Sequence, residues 1–133
     1  MAERIIDVRH LSKSFGDHEV LKDVDFAVSK GEVISIIGAS GSGKTVLLKN
    51  LIGLMTPESG EIIYDDKPMS QMDYKERGEL RQNIGILFQG SALFDFATVL
   101  ENVMFPMEFF TDWSYAQRKE RAQYCLEIGR AHV

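Results

Sequence analysis

Long apolar runs, basic clusters and cysteines are all scarce in this sequence of 133 residues. The single cysteine, Cys125, excludes an intrachain disulfide and a cysteine-rich zinc site, and we expect it to be a small buried apolar residue. No window approaches the ~18 apolar residues of a membrane span, and the first ten residues lack the apolar stretch of a signal peptide. We therefore expect a soluble, cytoplasmic protein.

The charge balance is acidic, with 15 Lys and Arg against 20 Asp and Glu and a formal net charge of −5. Sequence-independent binding to nucleic acid needs a basic face, and the sequence contains no run of Lys or Arg. The sequence therefore predicts no nucleic-acid partner.

Apolar patterning predicts the strands of one domain, since 44% of the residues are hydrophobic and can form a core. In the second predicted strand, Val24, Phe26 and Val28 share one face. The runs at 33–37 and 84–88 are mostly apolar, as expected of strands that are covered on both faces. The predicted strands are residues 5–9, 24–28, 33–37, 61–64 and 84–88.

Helices are predicted between and after these strands, which together indicate an α/β fold. Leu47 and Leu51 recur at helical spacing, and Gly53 is a plausible end for that helix. Residues 72–82 are polar and helix-prone. Two capping patterns, Thr98 with Glu101 and Ser114 with Gln117, open two further helices, the first of which Pro106 is expected to end or kink.

The stretch GASGSGKT, residues 38–45, matches the phosphate-binding pattern G-x-x-x-x-G-K-[ST] between a predicted strand and a predicted helix. Glycines let backbone N–H groups converge on an anion, and the following helix adds the positive end of its dipole. Lys44 is expected to reach the β- and γ-phosphates, and the Thr45 hydroxyl to ligate Mg²⁺. The predicted nucleotide-binding residues are Gly38, Ala39, Ser40, Gly41, Ser42, Gly43, Lys44 and Thr45.

Three stretches together resemble the ATP-binding subunits of ABC transporters: "LSKSFG", "GASGSGKTVLLKNLIGLMTPESGEI" and "GILFQGSALFDFATVLENVMFP". The resemblance runs from about Ile5 to Leu126 and implies a P-loop NTPase core of ABC type that binds ATP and Mg²⁺. It implies that Phe15 stacks on adenine, where the family usually has Tyr. It also implies that Gln89 contacts Mg²⁺ and senses the γ-phosphate. Taken singly, Phe15 would be read as a core aromatic and Gln89 as a solvated loop residue.

The words "FQGSALFD" and "TVLENVMFP" look most like the ATPases of Mla/Mce-type systems, which transport phospholipids. That resemblance implies a peripheral location on the inner face of the inner membrane, an integral-membrane permease as partner and a second ATPase subunit in a dimer. In the family, the region after Gln89 receives a helix of the permease. Its apolar contacts here would be Leu93, Phe94, Phe96, Val99 and Phe105, although a buried core is an equal reading for half of them.

The family also uses a Walker B strand ending in Asp-Glu, an LSGGQ-like motif from the opposing subunit and a later switch histidine. None of these is present in the 133 residues. Because an attacking water needs a base within hydrogen-bond reach, we expect no efficient hydrolysis by this chain alone, and its status as an enzyme stays open.

We interpret residues 1–127 as the N-terminal part of an ABC ATP-binding domain, comprising an N-terminal antiparallel β part and the start of a helical subdomain. Residues 128–133, "IGRAHV", continue no helical pattern and resemble the translation of a sequencing-library adapter. We interpret them as a non-native tail, with a natural short paralogue as the alternative.

Three other functions stay open. The chain is read alternatively as a soluble ABC ATPase that acts on nucleic acid or ribosomes without a membrane partner, or as a module that binds ATP without turnover. A P-loop kinase or GTPase is the third reading, although the [NT]-K-x-D motif expected of a GTPase is missing.

Overall fold

The chain divides into two compact units, Met1–Gly85 and Ile86–Val133, and the computed structural model describes residues 3–87, 90 and 92–129. The first unit contains strands β1 (Arg4–Phe15), β2 (His18–Ser29), β3 (Ser59–Tyr64) and β4 (Lys67–Pro68), helices α1 (Lys44–Leu51) and α2 (Tyr74–Gln82), and a short 3-10 helix (Met69–Gln71). The second unit contains helices α3 (Val99–Phe110) and α4 (Tyr115–Ile128).

One antiparallel sheet with strand order β2-β1-β3-β4 forms the frame of the first unit. The turn at Gly16 joins β1 to β2, and Phe15 pairs with His18 across it. Leu11 and Val8 pair with Val24 and Phe26. The apolar residues of the hairpin thus line one side of the sheet, where α1 covers them.

The core of the first unit lies between this sheet and α1. Leu47 and Leu51 of α1 are buried there, as the helical spacing predicts. The Tyr64 hydroxyl donates a hydrogen bond to the Leu51 carbonyl, and burial raises the pKa of Tyr64 to about 12. The full set of buried members is Val8, Leu11, Leu21, Leu47, Leu51, Ile62, Tyr64 and Met69.

Helix ends follow the sequence signals. After α1, the Gly53 N–H donates to the Asn50 carbonyl and the Leu54 N–H donates to the Lys49 carbonyl, so two of the last carbonyls of α1 are paired. The Thr98 side chain accepts from the Glu101 N–H at the start of α3, and Ser114 and Gln117 cap each other at the start of α4. These three predictions are confirmed.

The strands predicted at 33–37 and 84–88 are the main error of the sequence prediction. Residues 33–37 and 84–87 lie in no strand of the structure, and Phe88 lies outside the described residues. The described residues of these two runs form no hydrogen-bonded ladder with the sheet β2-β1-β3-β4. A run becomes a strand only where a neighbouring strand supplies its hydrogen bonds. Val33 and Ile37 are consequently 92% and 93% exposed.

Of the two effects expected of Pro106, ending or kinking the helix, the first does not occur, since α3 continues to Phe110. One further expectation is wrong. Cys125 is exposed rather than buried, because the inward face of α4 is formed by Ala122 instead. Among the described residues, no helix is both long enough and apolar enough to cross a membrane.

Candidate phosphate-binding site

The loop of residues 38–43 leads directly into α1, and the helix begins with its first N–H groups uncapped. Gly43 is the N-cap residue and has no side chain, and the first turn of α1 carries no acidic residue. The first hydrogen bond of the helix is donated by the Leu47 N–H to the Gly43 carbonyl, at 2.9 Å. The preceding N–H groups are the ones that a helix leaves without an internal partner, so this end suits an anion.

Gly43 is required by its surroundings as well as by its backbone. Its φ of 101° lies in the left-handed region, and a Cβ there would lie 3.0 Å from Val20 Cγ1 and 3.3 Å from the Val20 carbonyl oxygen. The end of the loop therefore rests directly on β2. The N-terminus of α1 is held close to the sheet for that reason.

Lys44 lies over the loop that precedes it. Its Nζ donates to the carbonyl oxygens of Gly38 and Ala39, the latter at 3.2 Å. These are neutral acceptors, and a phosphate oxygen is a stronger one because the hydrogen bond is then charged on both sides. A phosphate at this place would therefore compete with the two carbonyls for Lys44.

The remaining loop residues leave the site open. Ala39, Ser40, Gly41 and Ser42 are exposed, and so is Thr45 in the first turn of α1. A hydroxyl at this point is an oxygen ligand of the kind that Mg²⁺ takes beside phosphates. The uncapped helix, the charged Lys44 and the exposed Thr45 fit a phosphate group with its metal.

Phe15 lies at the end of β1, beside the hairpin turn, and is 47% exposed. The end of the phosphate loop, Gly43, lies against Val20 of β2. Val20 is two residues beyond His18, which pairs with Phe15, so the tip of the hairpin lies about 7 Å from that contact. Because Phe15 is about half exposed, it is not the core aromatic that the residue taken singly would suggest. It presents a ring to solvent near the phosphate loop.

Lys13 is a residue of this region that sequence reasoning missed. Its Nζ lies 5.4 Å from the centroid of the Phe15 ring, and it is anchored by the Thr56 carbonyl at 2.8 Å and by Glu58 at 3.1 Å. Strand alternation places Lys13 and Phe15 on one face, but the anchors of Lys13 lie more than forty residues away and give no local signal. Lys13 thus lies over the ring of Phe15, which remains about half exposed.

Gln89 lies outside the described residues, so its predicted contacts with the metal and the γ-phosphate stay a prediction. The same holds for residues 130–133 of the tail.

The second unit carries an apolar groove of about 190 Å³. Phe94 packs against Phe96 and Phe105 with centroid distances of 5.2 and 4.8 Å, and Phe105 packs edge-on against Phe109 at 5.0 Å. Glu101 and Glu108 contribute carboxylates to the lining. The five residues predicted to contact a permease are all exposed: Leu93, Phe94, Phe96, Val99 and Phe105.

The fold and the loop define an α/β domain of the P-loop NTPase type, and comparison with known proteins identifies the family. A family model described as "ABC transporter" matches residues 21–132. The phosphonates import ATP-binding protein PhnC of Fusobacterium nucleatum is 38% identical over 133 residues, covering 94% of this chain and 53% of that protein. The intermembrane phospholipid transport system ATP-binding protein MlaF of Haemophilus influenzae is 37% identical over 111 residues, covering 84% of this chain and 42% of that protein.

A solved structure agrees with this match. A dimeric ATP-binding cassette in a post-hydrolysis state, bound to ADP and Pi, has a TM-score of 0.82 and 31% identity, covering 96% of this chain and 58% of that chain. The chain belongs to the ABC transporter family and has its ATP-binding cassette fold. It spans about half the length of the curated relatives it matches.

Proposed function

We propose that this chain is the nucleotide-binding part of an ABC transporter ATPase subunit and that its P-loop holds ATP. The observation that carries the proposal is the uncapped, acid-free N-terminus of α1 beneath Lys44. Both features attract a phosphate chain.

Each site residue has a role in this proposal. The backbone from Gly38 to Gly43 wraps the phosphates, and Lys44 leaves the two loop carbonyls to pair with the β- and γ-phosphates. Phe15 stacks on the adenine. Thr45 and Gln89 are the residues that would hold Mg²⁺, which supplies charge neutralisation on the phosphate oxygens.

Titration calorimetry with MgATP tests the phosphate site. Lys44→Ala removes charge-assisted hydrogen bonds worth about 1.5–3 kcal/mol, so we expect affinity to fall about 10- to 150-fold. Lys49→Ala is the matched control, because Lys49 lies in the last turn of the same helix. Equal affinity in the Lys44→Ala and wild-type chains would refute the assignment.

Phospholipid transport is the finer part of the proposal. It is supported by the similarity to MlaF and by the sequence stretch "FQGSALFD". The similarity to PhnC, a phosphonates import protein, leaves other substrates as alternatives. Residues 1–127 are, on this proposal, the N-terminal part of the cassette, and the complete subunit dimerises at the inner membrane. In a reconstituted full-length complex, phospholipid vesicles should stimulate phosphate release and phosphonate should not.

A membrane permease is the partner proposed for the groove of Phe94, Phe96 and Phe105. Large apolar patches on a surface mark interaction sites, and the carboxylates of Glu101 and Glu108 favour a partner segment that carries Lys or Arg. Co-purification of the full-length subunit with its permease tests this. Phe96→Glu should abolish capture, whereas Phe110→Glu, an exposed aromatic that is not part of the groove lining, should not.

The soluble ABC ATPase without a membrane partner is the competing reading. It predicts phosphate release by the full-length subunit at the same rate with and without a permease. The binding-only reading predicts nucleotide binding with no phosphate release in either case.

A further inference from the structure

Three metal-ligating side chains converge on the β1–β2 hairpin, apart from the residues assigned to nucleotide binding. His10 Nδ1 lies 2.7 Å from Asp23 Oδ1 and 3.6 Å from Asp25 Oδ2, and one ligand atom from each of the three residues lies within 4.8 Å of the others. All three side chains are exposed, by 76%, 72% and 51%. A solvated ion can therefore reach them directly.

The backbone beneath this cluster is held from several sides. The His10 N–H donates to Asp25 Oδ1 at 2.9 Å, which leaves Asp25 Oδ2 free to face the imidazole. The Asp23 N–H donates to Ser12 Oγ at 3.0 Å. On the other side, Gly60 of β3 packs so closely that a Cβ there would lie 2.2 Å from the His10 carbonyl oxygen. The backbone that carries these side chains is thus held by contacts within the sheet.

Among the described residues, no lysine or arginine pairs with Asp23 or Asp25, and the ion-pair partner of both is His10. A group of one imidazole and two carboxylates carries an uncompensated negative charge when the imidazole is neutral. That charge favours a divalent cation.

We propose that His10, Asp23 and Asp25 bind a divalent transition metal of the zinc type, with water completing the coordination. Metal bonds of about 2.0–2.2 Å set ligand atoms of a tetrahedral site roughly 3.3–3.6 Å apart. The Nδ1 to Asp25 Oδ2 distance already has this value, and the 2.7 Å contact to Asp23 opens by less than about 1 Å. The metal takes the place of the hydrogen between His10 Nδ1 and Asp23: a neutral imidazole moves that proton to Nε2, and an imidazolium releases one proton to solvent. An imidazole ligand favours Zn²⁺, Ni²⁺ or Co²⁺ over Mg²⁺.

Titration of the nucleotide-free chain with Zn²⁺ tests the proposal. We expect one equivalent to bind, and the affinity to fall at least about tenfold in His10→Asn and in Asp25→Asn. Asn tolerates the φ of 50° at residue 10, so the first change removes the ligand and keeps the backbone. His18→Asn and His132→Asn are the matched controls, because they remove the other histidines of the chain, and both should bind Zn²⁺ as the wild type does.

Proton NMR of the histidine rings gives a second readout that needs no variant to fold. One equivalent of Zn²⁺ should shift the ring signals of His10 and leave those of His18 unchanged, and an equal concentration of Mg²⁺ should shift neither. Weak binding to several sites, an equal loss of affinity in His18→Asn, or a His10 signal that does not move would overturn the proposal.

Discussion

Truncation of Phe15 separates a ligand-binding role from a structural one. The ring is 47% exposed, and Lys13 lies 5.4 Å from its centroid. A stacked base would cover about half of the exposed surface, on the order of 50 Å², which contributes ~1 kcal/mol at ~25 cal/mol per Å². Base–aromatic stacking adds to this and brings the range to about 1–3 kcal/mol. Phe15→Ala should therefore weaken ATP binding about 5- to 150-fold.

The assay is calorimetry with MgATP, accompanied by a thermal melt of each variant. Phe15→Tyr, which restores the family's usual residue, should bind as well as the wild type. Phe109→Ala is the control for the loss of an exposed aromatic elsewhere in the chain and should leave affinity unchanged. The melt of Phe15→Ala should stay close to that of the wild type, since the removed surface is largely solvated.

Two results would refute this reasoning. Unchanged ATP affinity in Phe15→Ala would mean that the base does not stack on this ring. A lower melting temperature together with an affinity loss that Phe15→Tyr fails to rescue would mean that Phe15 acts through the hairpin instead.

Three further predictions concern the frame that holds the site. Gly60→Ala should destabilise the fold by about 2–5 kcal/mol in urea unfolding, whereas Gly31→Ala, with a similar positive φ and no atom within 4 Å, should cost only about 1–2 kcal/mol; equal losses would contradict the packing argument. Asp73→Ala removes the N-cap of α2 and should cost about 1 kcal/mol in the same assay, with no effect on ATP affinity. The hydrogen bond from Arg9 lowers the pKa of Asp7, so the stabilisation by this pair is present at neutral pH and is lost as pH falls through the lowered pKa. Arg9→Gln should lower the melting temperature at neutral pH, and the difference from the wild type should shrink as the solution is acidified below the usual pKa of Asp.

The hairpin and the helix caps were predictable because their signals are local. Val24, Phe26 and Val28 alternate along β2, as predicted. In the structure all three are half-buried, and each pairs with an apolar residue of β1. The Ser114 cap depends only on residues three apart. Such short-range rules need no knowledge of the rest of the fold.

The runs 33–37 and 84–88 could not be assigned correctly from pattern alone. Their apolar, β-branched composition predicts strands, but a strand is defined by hydrogen bonds to a neighbour that the run itself does not specify. The sheet of this structure consists of β2, β1, β3 and β4, and residues 33–37 lie outside it. Lys13 escaped notice for a related reason, since its role depends on Thr56 and Glu58, more than forty residues away.

The phosphate loop leads directly into α1, although residues 33–37 before it lie in no strand. Its support therefore comes from the other side, where Gly43 rests on Val20 and α1 buries Leu47 and Leu51 against the hairpin. The hydrogen bonds from Lys44 to Gly38 and Ala39 close the loop onto the helix that follows. Because the same hairpin carries Phe15 at its tip, one packed unit positions both the phosphate loop and the aromatic ring. In the proposed binding mode, the contact of α1 with β2 would set the distance between the phosphate loop and the Phe15 ring, so we expect a variant that loosens this contact to bind nucleotide more weakly even with every proposed contact residue intact.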